Sequence, residues 1–131
     1  MRPRLAFLAL FANFVAAGEA ERPAPDPKAM RKRVDELIAI WKDNARNQDV
    51  QPSRRRRDVA RELGEYPIPA SIGALVTILE QDKDVRAQIH AMQSIGKIGD
   101  FDAVRRMVGF VQRENRMALT AQLGDALALT K

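Results

Sequence analysis

The stretch SIGKIGDFDAVRRMVGFVQ (residues 94–112) decides the fold. It indicates the end of one helix, a break at Gly99 and Asp100, and a second helix that starts near Asp102. Apolar residues recur in the second helix at i, i+3, i+4 and i+7, the pattern of a helix with one buried face. These positions hold Val104, Met107, Val108 and Val111. The stretch therefore predicts two helices joined by a short hinge, where an aspartate can cap the second one.

The same pattern recurs along the chain at a constant offset of 32 residues, without a gap. The offset places Gly64 on Gly96 and the apolar positions of residues 72–79 on those of residues 104–111. A further step places residues 91–95 on residues 123–127. A period of this length is typical of stacked helical units, because a short helix pair buries its apolar side only against the next pair.

The periodicity predicts an all-α fold, a short α-α solenoid of about five to six helices. The core domain is expected over residues 29–131, with Trp41 in its interior and Ser53 as the N-cap of the second helix. The predicted helices cover residues 27–46, 54–65, 70–80, 85–98, 102–112 and 118–130.

The quoted stretch resembles the HEAT-like repeats of the phycobilisome-lyase type, which have a Leu-Gly-x-Ile-Gly-Asp hinge before a helix that starts with Ala-Val. The resemblance is specific over residues 85–112, is looser over 53–84, where Pro67 replaces the hinge glycine, and covers half a unit over 117–131. It implies an α-solenoid that binds protein, and the lyase activity of some members is not implied. The matching residues are Ile95, Gly96, Ile98, Gly99, Asp100, Ala103 and Val104.

The N-terminus has the three-part layout of a secretory signal peptide over residues 1–20. Two arginines precede the apolar segment Leu5–Ala17, and small residues follow, with cleavage expected near Ala20. An apolar run of about 13 residues is short for a spanning helix, which needs roughly 20, so a retained anchor is the weaker alternative. Residues 21–28 (ERPAPDPK) predict a proline-rich linker. We therefore expect an exported protein, periplasmic or extracellular.

The composition argues against a catalytic or metal site. The 131 residues include no cysteine and one histidine, so disulfides, thiolate sites and the usual zinc ligand sets cannot form. His90 has no serine or aspartate at a spacing that would form a catalytic relay. We expect no enzyme activity, no metal and no cofactor.

Polar residues on the second helix of each pair, opposite the apolar stripe, form the predicted protein-binding face. An ordinary solvated face is the alternative, because any amphipathic helix has polar residues there. The predicted face consists of Arg54, Asp58, Arg61, Arg86, His90, Gln93, Lys97, Gln122 and Asp125.

The run Arg54, Arg55, Arg56 and Arg57 is a basic patch in a chain of net charge +5. Together with Arg61 it suggests an alternative function, binding of polyanions or an anionic membrane surface. Nucleic acid is not expected as a partner, because no aromatic residue for base stacking lies among these arginines.

The last helix has no successor in the periodic pattern and yet stays apolar. Leu119, Leu123 and Leu127 are therefore predicted to form an open C-terminal edge. Such an edge suggests a contact with a protein partner or with a second copy of the chain, because a terminal unit of a stack normally has a polar outer side.

Overall fold

The computed structural model describes residues 26–130, which fold into six α-helices. The predicted all-α class is confirmed, and the helix at residues 85–98 has the predicted bounds. The helices are α1 (Pro27–Asn44), α2 (Val50–Leu63), α3 (Pro69–Gln81), α4 (Val85–Ile98), α5 (Phe101–Glu114) and α6 (Met117–Ala128).

The helices form hairpins that stack in two layers. One layer contains α1, α3 and α5, the other contains α2, α4 and α6, and the chain alternates between them. The packing is most extensive along the second layer, where α4 lies between α2 and α6. The second layer therefore presents side chains from three successive hairpins on one surface.

The core lies between the two layers and collects the apolar stripes that the periodicity predicts. Leu75, Met92, Ile95 and Met107 are buried, each with at most 1% of its surface exposed. Trp41 belongs to the same cluster, which confirms its predicted place in the core. Its indole Nε1 donates a hydrogen bond to Asp82 Oδ2 at 2.9 Å, so the polar edge of the ring is also satisfied.

The predicted hinge at Gly99 and Asp100 is confirmed. Gly99 ends α4 with φ +75°, a left-handed conformation that glycine adopts without steric cost. Asp100 then caps α5 by accepting a hydrogen bond from the backbone N–H of Ala103 at 3.0 Å. Asp84 caps α4 in the same way through the N–H of Ala87, at 3.0 Å. These caps fix where α4 and α5 begin.

The predicted start of the second helix at residue 54 is wrong and so is the predicted end of the linker, whereas the other predicted helix bounds lie within two residues of the observed ones. Ser53 is not an N-cap, because α2 already begins at Val50 after Asp49 and Ser53 is buried in the first turn. The predicted linker (residues 21–28) ends two residues too late, because α1 begins at Pro27, the predicted start of this helix. Proline is tolerated there because the first-turn N–H groups of a helix have no partner within the helix.

The predicted signal peptide (residues 1–20) and residues 21–25 of the predicted linker lie outside the described residues. Within residues 26–130, every helix is too short or too polar to span a membrane.

The helices of the second layer lie very close to each other at two glycines. A Cβ placed on Gly64 would lie 2.6 Å from Ser94 Oγ, and one on Gly96 would lie 2.1 Å from the carbonyl oxygen of Ala126. Gly64 and Gly96 are 32 residues apart, and so are Ser94 and Ala126. The same pair of positions therefore joins α2 to α4 and α4 to α6, through the side chain of Ser94 in the first case and the backbone of Ala126 in the second.

Candidate functional site

The second layer contains a shallow groove of about 350 Å³ that crosses all three of its helices. Residues of α2, α4 and α6 and of the end of the chain line it: Arg61, Glu65, His90, Gln93, Ser94, Lys97, Asp125 and Leu129. We call this the second-layer groove. Most of its polar lining consists of side chains that project away from the core side of these helices.

The structure brings five of the nine residues of the predicted binding face into this groove: Arg61, His90, Gln93, Lys97 and Asp125. The other four do not line it. Arg54 and Arg86 are exposed elsewhere, and Gln122 is half-buried. Asp58 lines a different groove, between α1 and α2, although its carboxylate accepts a hydrogen bond from Arg61 at 2.8 Å.

Ion pairs form the rim of the second-layer groove. Lys97 of α4 pairs with Glu65, which follows α2, and both side chains are more than half exposed. Arg61 and Asp58 are also paired, with 68% of each side chain exposed. Exposed pairs contribute little to stability, about 0–1 kcal/mol each. These side chains can therefore leave their present ion pairs and pair with charges of a bound molecule at a small cost in free energy.

The floor of the groove is held rigidly by Ser94. Its hydroxyl is buried and donates a hydrogen bond to the carbonyl oxygen of Ala60 at 2.6 Å, which ties α4 to α2. Ser94 was not among the predicted site residues. Its position on the buried side of an amphipathic helix could have indicated a hydrogen bond to a neighbouring helix, because a buried hydroxyl almost always has a hydrogen-bond partner.

Three polar side chains of the groove have no partner in the part of the chain that the structure describes. His90, Gln93 and Asp125 form no side-chain hydrogen bond or ion pair with another residue in the range 26–130. Leu129 adds an apolar surface that is 49% exposed. A mixture of unengaged polar groups and exposed apolar surface is typical of the rim and core of protein interfaces.

The predicted basic patch is not one surface, and the inclusion of Arg56 was wrong. Arg56 is fully buried, and its Nε donates to Asp82 Oδ2 at 2.9 Å. Its guanidinium also hydrogen-bonds the backbone carbonyls of Asn44 and Asn47 at the end of α1. A buried guanidinium needs such partners, because an unpaired buried charge is very costly. Arg56 therefore joins α1, α2 and α3 and cannot contact a ligand.

Arg57 is also committed within the fold. It donates two hydrogen bonds to the carboxylate of Asp84, at 2.7 and 2.9 Å. This hydrogen bond raises the pKa of Arg57 and lowers the pKa of Asp84, since each charged form is stabilised by the other. Of the predicted patch, Arg54 and Arg55 remain as exposed cations.

The predicted open C-terminal edge is also corrected. Leu119 is fully buried, and Leu123 and Leu127 are half-buried against the core. These leucines face the preceding helices because they lie on the core side of α6. The apolar surface that α6 exposes is a different one and includes Met117, which is 87% exposed.

Two further surface features were not predicted. A groove of about 670 Å³ lies between α1 and α2, where Arg33 donates to both oxygens of the Glu62 carboxylate at 2.7 and 2.8 Å. That hydrogen bond lowers the pKa of Glu62. On the other layer, Arg105, Arg106 and Arg113 of α5 surround a shallow depression at Gly109. Both features involve polar residues of α1 or α5, which do not belong to the predicted binding face.

Among the residues from 26 to 130, no group of three or more His, Cys, Asp or Glu side chains is placed to hold a metal ion. The chain has no significant match among protein-family models, curated proteins or solved structures.

Proposed function

We propose that this chain is an exported HEAT-like scaffold that binds a protein partner through the second-layer groove. The observation that carries the proposal is the convergence of side chains from three successive hairpins on one groove. A stack of hairpins suits this role, because it offers a broad and rigid surface whose residues come from separate parts of the chain.

The chemistry of the groove favours a polypeptide over a small molecule. Its lining combines carboxylates, a lysine, an arginine, an imidazole and an amide, so both signs of charge are available along its length. A small-molecule site is normally a deeper and mainly apolar pocket. A polypeptide segment can instead offer complementary charges and backbone groups along an open groove.

Binding of polyanions remains the alternative, and the α5 arginines suit it better than the run at residues 54–57. Arg105, Arg106 and Arg113 lie around one depression, although Arg106 also pairs with Glu80 at 2.8 Å. Binding of this kind would weaken steeply with salt. Retention on heparin that is lost in Arg105→Glu/Arg113→Glu would support the alternative, and no retention at low salt would exclude it.

Affinity capture with matched variants tests the proposed function. Asp125→Arg reverses an exposed charge in the second-layer groove, and Asp43→Arg makes the same change in the groove between α1 and α2. The proposal expects one protein that the wild type and Asp43→Arg retain and that Asp125→Arg loses. A protein lost only with Asp43→Arg, or equal recovery by all three chains, would contradict it.

A further inference from the structure

The side of α6 that faces away from α4 lies at positions that are buried or half-buried in α2 and α4. We call the residues Met117, Ala121, Gly124 and Ala128 the outer stripe of α6. Their spacing of four, three and four residues places them on one side of the helix, opposite the buried Leu119 and Ala126.

The corresponding positions in α2 and α4 are covered by the next helix. Ser53, Arg57, Ala60 and Gly64 form this stripe in α2, and Val85, Ile89, Met92 and Gly96 form it in α4. All eight are buried or half-buried, and the last of each set makes the close glycine contact with the following helix. In α6 all four residues are exposed, and no other helix among residues 26–130 covers them.

Gly124 has no role in the packing of residues 26–130. A Cβ placed on it would meet nothing within 4 Å, in contrast to one placed on Gly64 or Gly96. Glycine inside a helix is less favourable than alanine, so a glycine here is explained best by the close approach of a further helix. The exposed Met117, with 87% of its surface accessible, adds apolar area at the end of the same stripe.

We propose that the outer stripe of α6 binds the outer stripe of a second copy in an antiparallel pair about a two-fold axis. In that arrangement residue i lies opposite residue 245 minus i, because the stripe is symmetric about its midpoint. Met117 then lies opposite Ala128, a large side chain against a small one, and Ala121 lies opposite Gly124. An interface with a two-fold axis uses the same surface on both copies and closes at the dimer.

A head-to-tail stack of copies is excluded by the other end of the molecule. The close contact with the preceding glycine is made by Ser94 in α4 and by Ala126 in α6. The residue at the corresponding position of α2 is Glu62. Glu62 is large, charged and bound to Arg33. The self-complementary stripe is in contrast uncharged, and Asp125 is the only charged residue of α6. The second copy therefore contacts α6 through its own α6.

The test is sedimentation equilibrium of the full chain at increasing concentration. The wild type is expected to approach the mass of a dimer, with weak affinity because two short helices bury a small area. Gly124→Ala adds one methyl group at the centre of the stripe and is expected to weaken the dimer at least tenfold. Gly73→Ala is the matched control, because Gly73 also has open space around it but lies on α3.

The register is tested with cysteines, since the natural chain has none. Chains with Met117→Cys are mixed with chains with Ala128→Cys under mild oxidation. The antiparallel pair predicts disulfide dimers that contain one chain of each kind. A wild type that stays monomeric at every concentration, a dimer that Gly124→Ala leaves unchanged, or disulfides mainly between identical chains would overturn the proposal. None of these results depends on the second-layer groove, so binding of another protein there is tested separately.

Discussion

Gly96 of α4 and Ala126 of α6 lie so close together that a Cβ on the glycine would come within 2.1 Å of the alanine's carbonyl oxygen. Thirty-two residues earlier, Gly64 also lies close to the next helix, since a Cβ on it would come within 2.6 Å of Ser94 Oγ. The close approach of these helices depends on the missing side chain, and it brings the residues of the second-layer groove within reach of one another.

Alanine substitutions at the glycines should have graded effects on stability. Gly96→Ala is expected to destabilise the fold by about 1–3 kcal/mol, because backbone must move to relieve the overlap. Gly64→Ala should cost less, since it mainly meets the side chain of Ser94. Gly124→Ala and Gly73→Ala, which meet nothing, should stabilise the dilute protein by up to about 1 kcal/mol. Chemical denaturation checks the order, and equal effects at Gly96 and Gly124 would contradict the close contact.

Removal of the buried cation should be far more damaging than removal of its exposed neighbour. Arg56→Met leaves Asp82 buried without its ion-pair partner, and we expect a loss of about 3–5 kcal/mol in the free energy of unfolding. Arg55→Met should change stability by no more than about 0.5 kcal/mol, as for most exposed substitutions.

The double variant Arg56→Met/Asp82→Asn tests whether the uncompensated charge is the cause. It should recover part of the loss, because the asparagine is neutral and can still accept the hydrogen bond from Trp41. If the double variant is less stable than Arg56→Met alone, the charge is not the cause of the loss.

The pair Arg57 and Asp84 makes stability depend on pH at the acidic end. The pKa of Asp84 is lowered in the folded state, so its contribution is present above the ordinary carboxyl value and is lost as the pH falls below about 4. Asp84→Asn removes the titrating group and keeps a side chain that can cap α4. Denaturation between neutral and acidic pH should give a shallower loss for Asp84→Asn and for Arg57→Gln than for the wild type. An unchanged slope in both variants would refute this linkage.

Export is tested by the N-terminus of the secreted chain. A bacterial host that secretes proteins is expected to release a form that begins just after Ala20, because the small residues at positions 18 and 20 suit the cleaving peptidase. Ala20→Arg should block cleavage and leave the longer chain with the cells. Mass spectrometry distinguishes the two, and a full-length chain that stays in the cytosol would contradict the signal-peptide hypothesis.

The helices and their order could be predicted because each apolar stripe repeats with the period of an α-helix and each hinge carries glycine, proline or aspartate. Whether an individual charged side chain is buried or exposed could not be predicted in this way. Arg56 and Arg55 are neighbours in one arginine run, and only the position of Asp82 on another helix makes the first of them a buried residue. Leu119 was likewise assigned to an open edge because periodicity alone does not say which side of the last helix faces the stack.

The groove was predicted in part for the same reason. Residues at a common offset on successive helices were expected to share one surface, and Arg61, Gln93 and Asp125 do so. The groove between α1 and α2 escaped prediction because α1 has no counterpart at the constant offset and its neighbour could not be placed from the pattern.

Site-specific photo-cross-linking in cells that produce the protein tests the central claim most directly. A photoreactive amino acid replaces Gln93 in the second-layer groove or, as the control, Gln112 on the exposed side of α5. We expect one discrete adduct with another protein from position 93 and none of that mass from position 112. Adducts of equal yield from both positions, or none from position 93 under conditions where the protein is folded and abundant, would contradict a protein-binding groove.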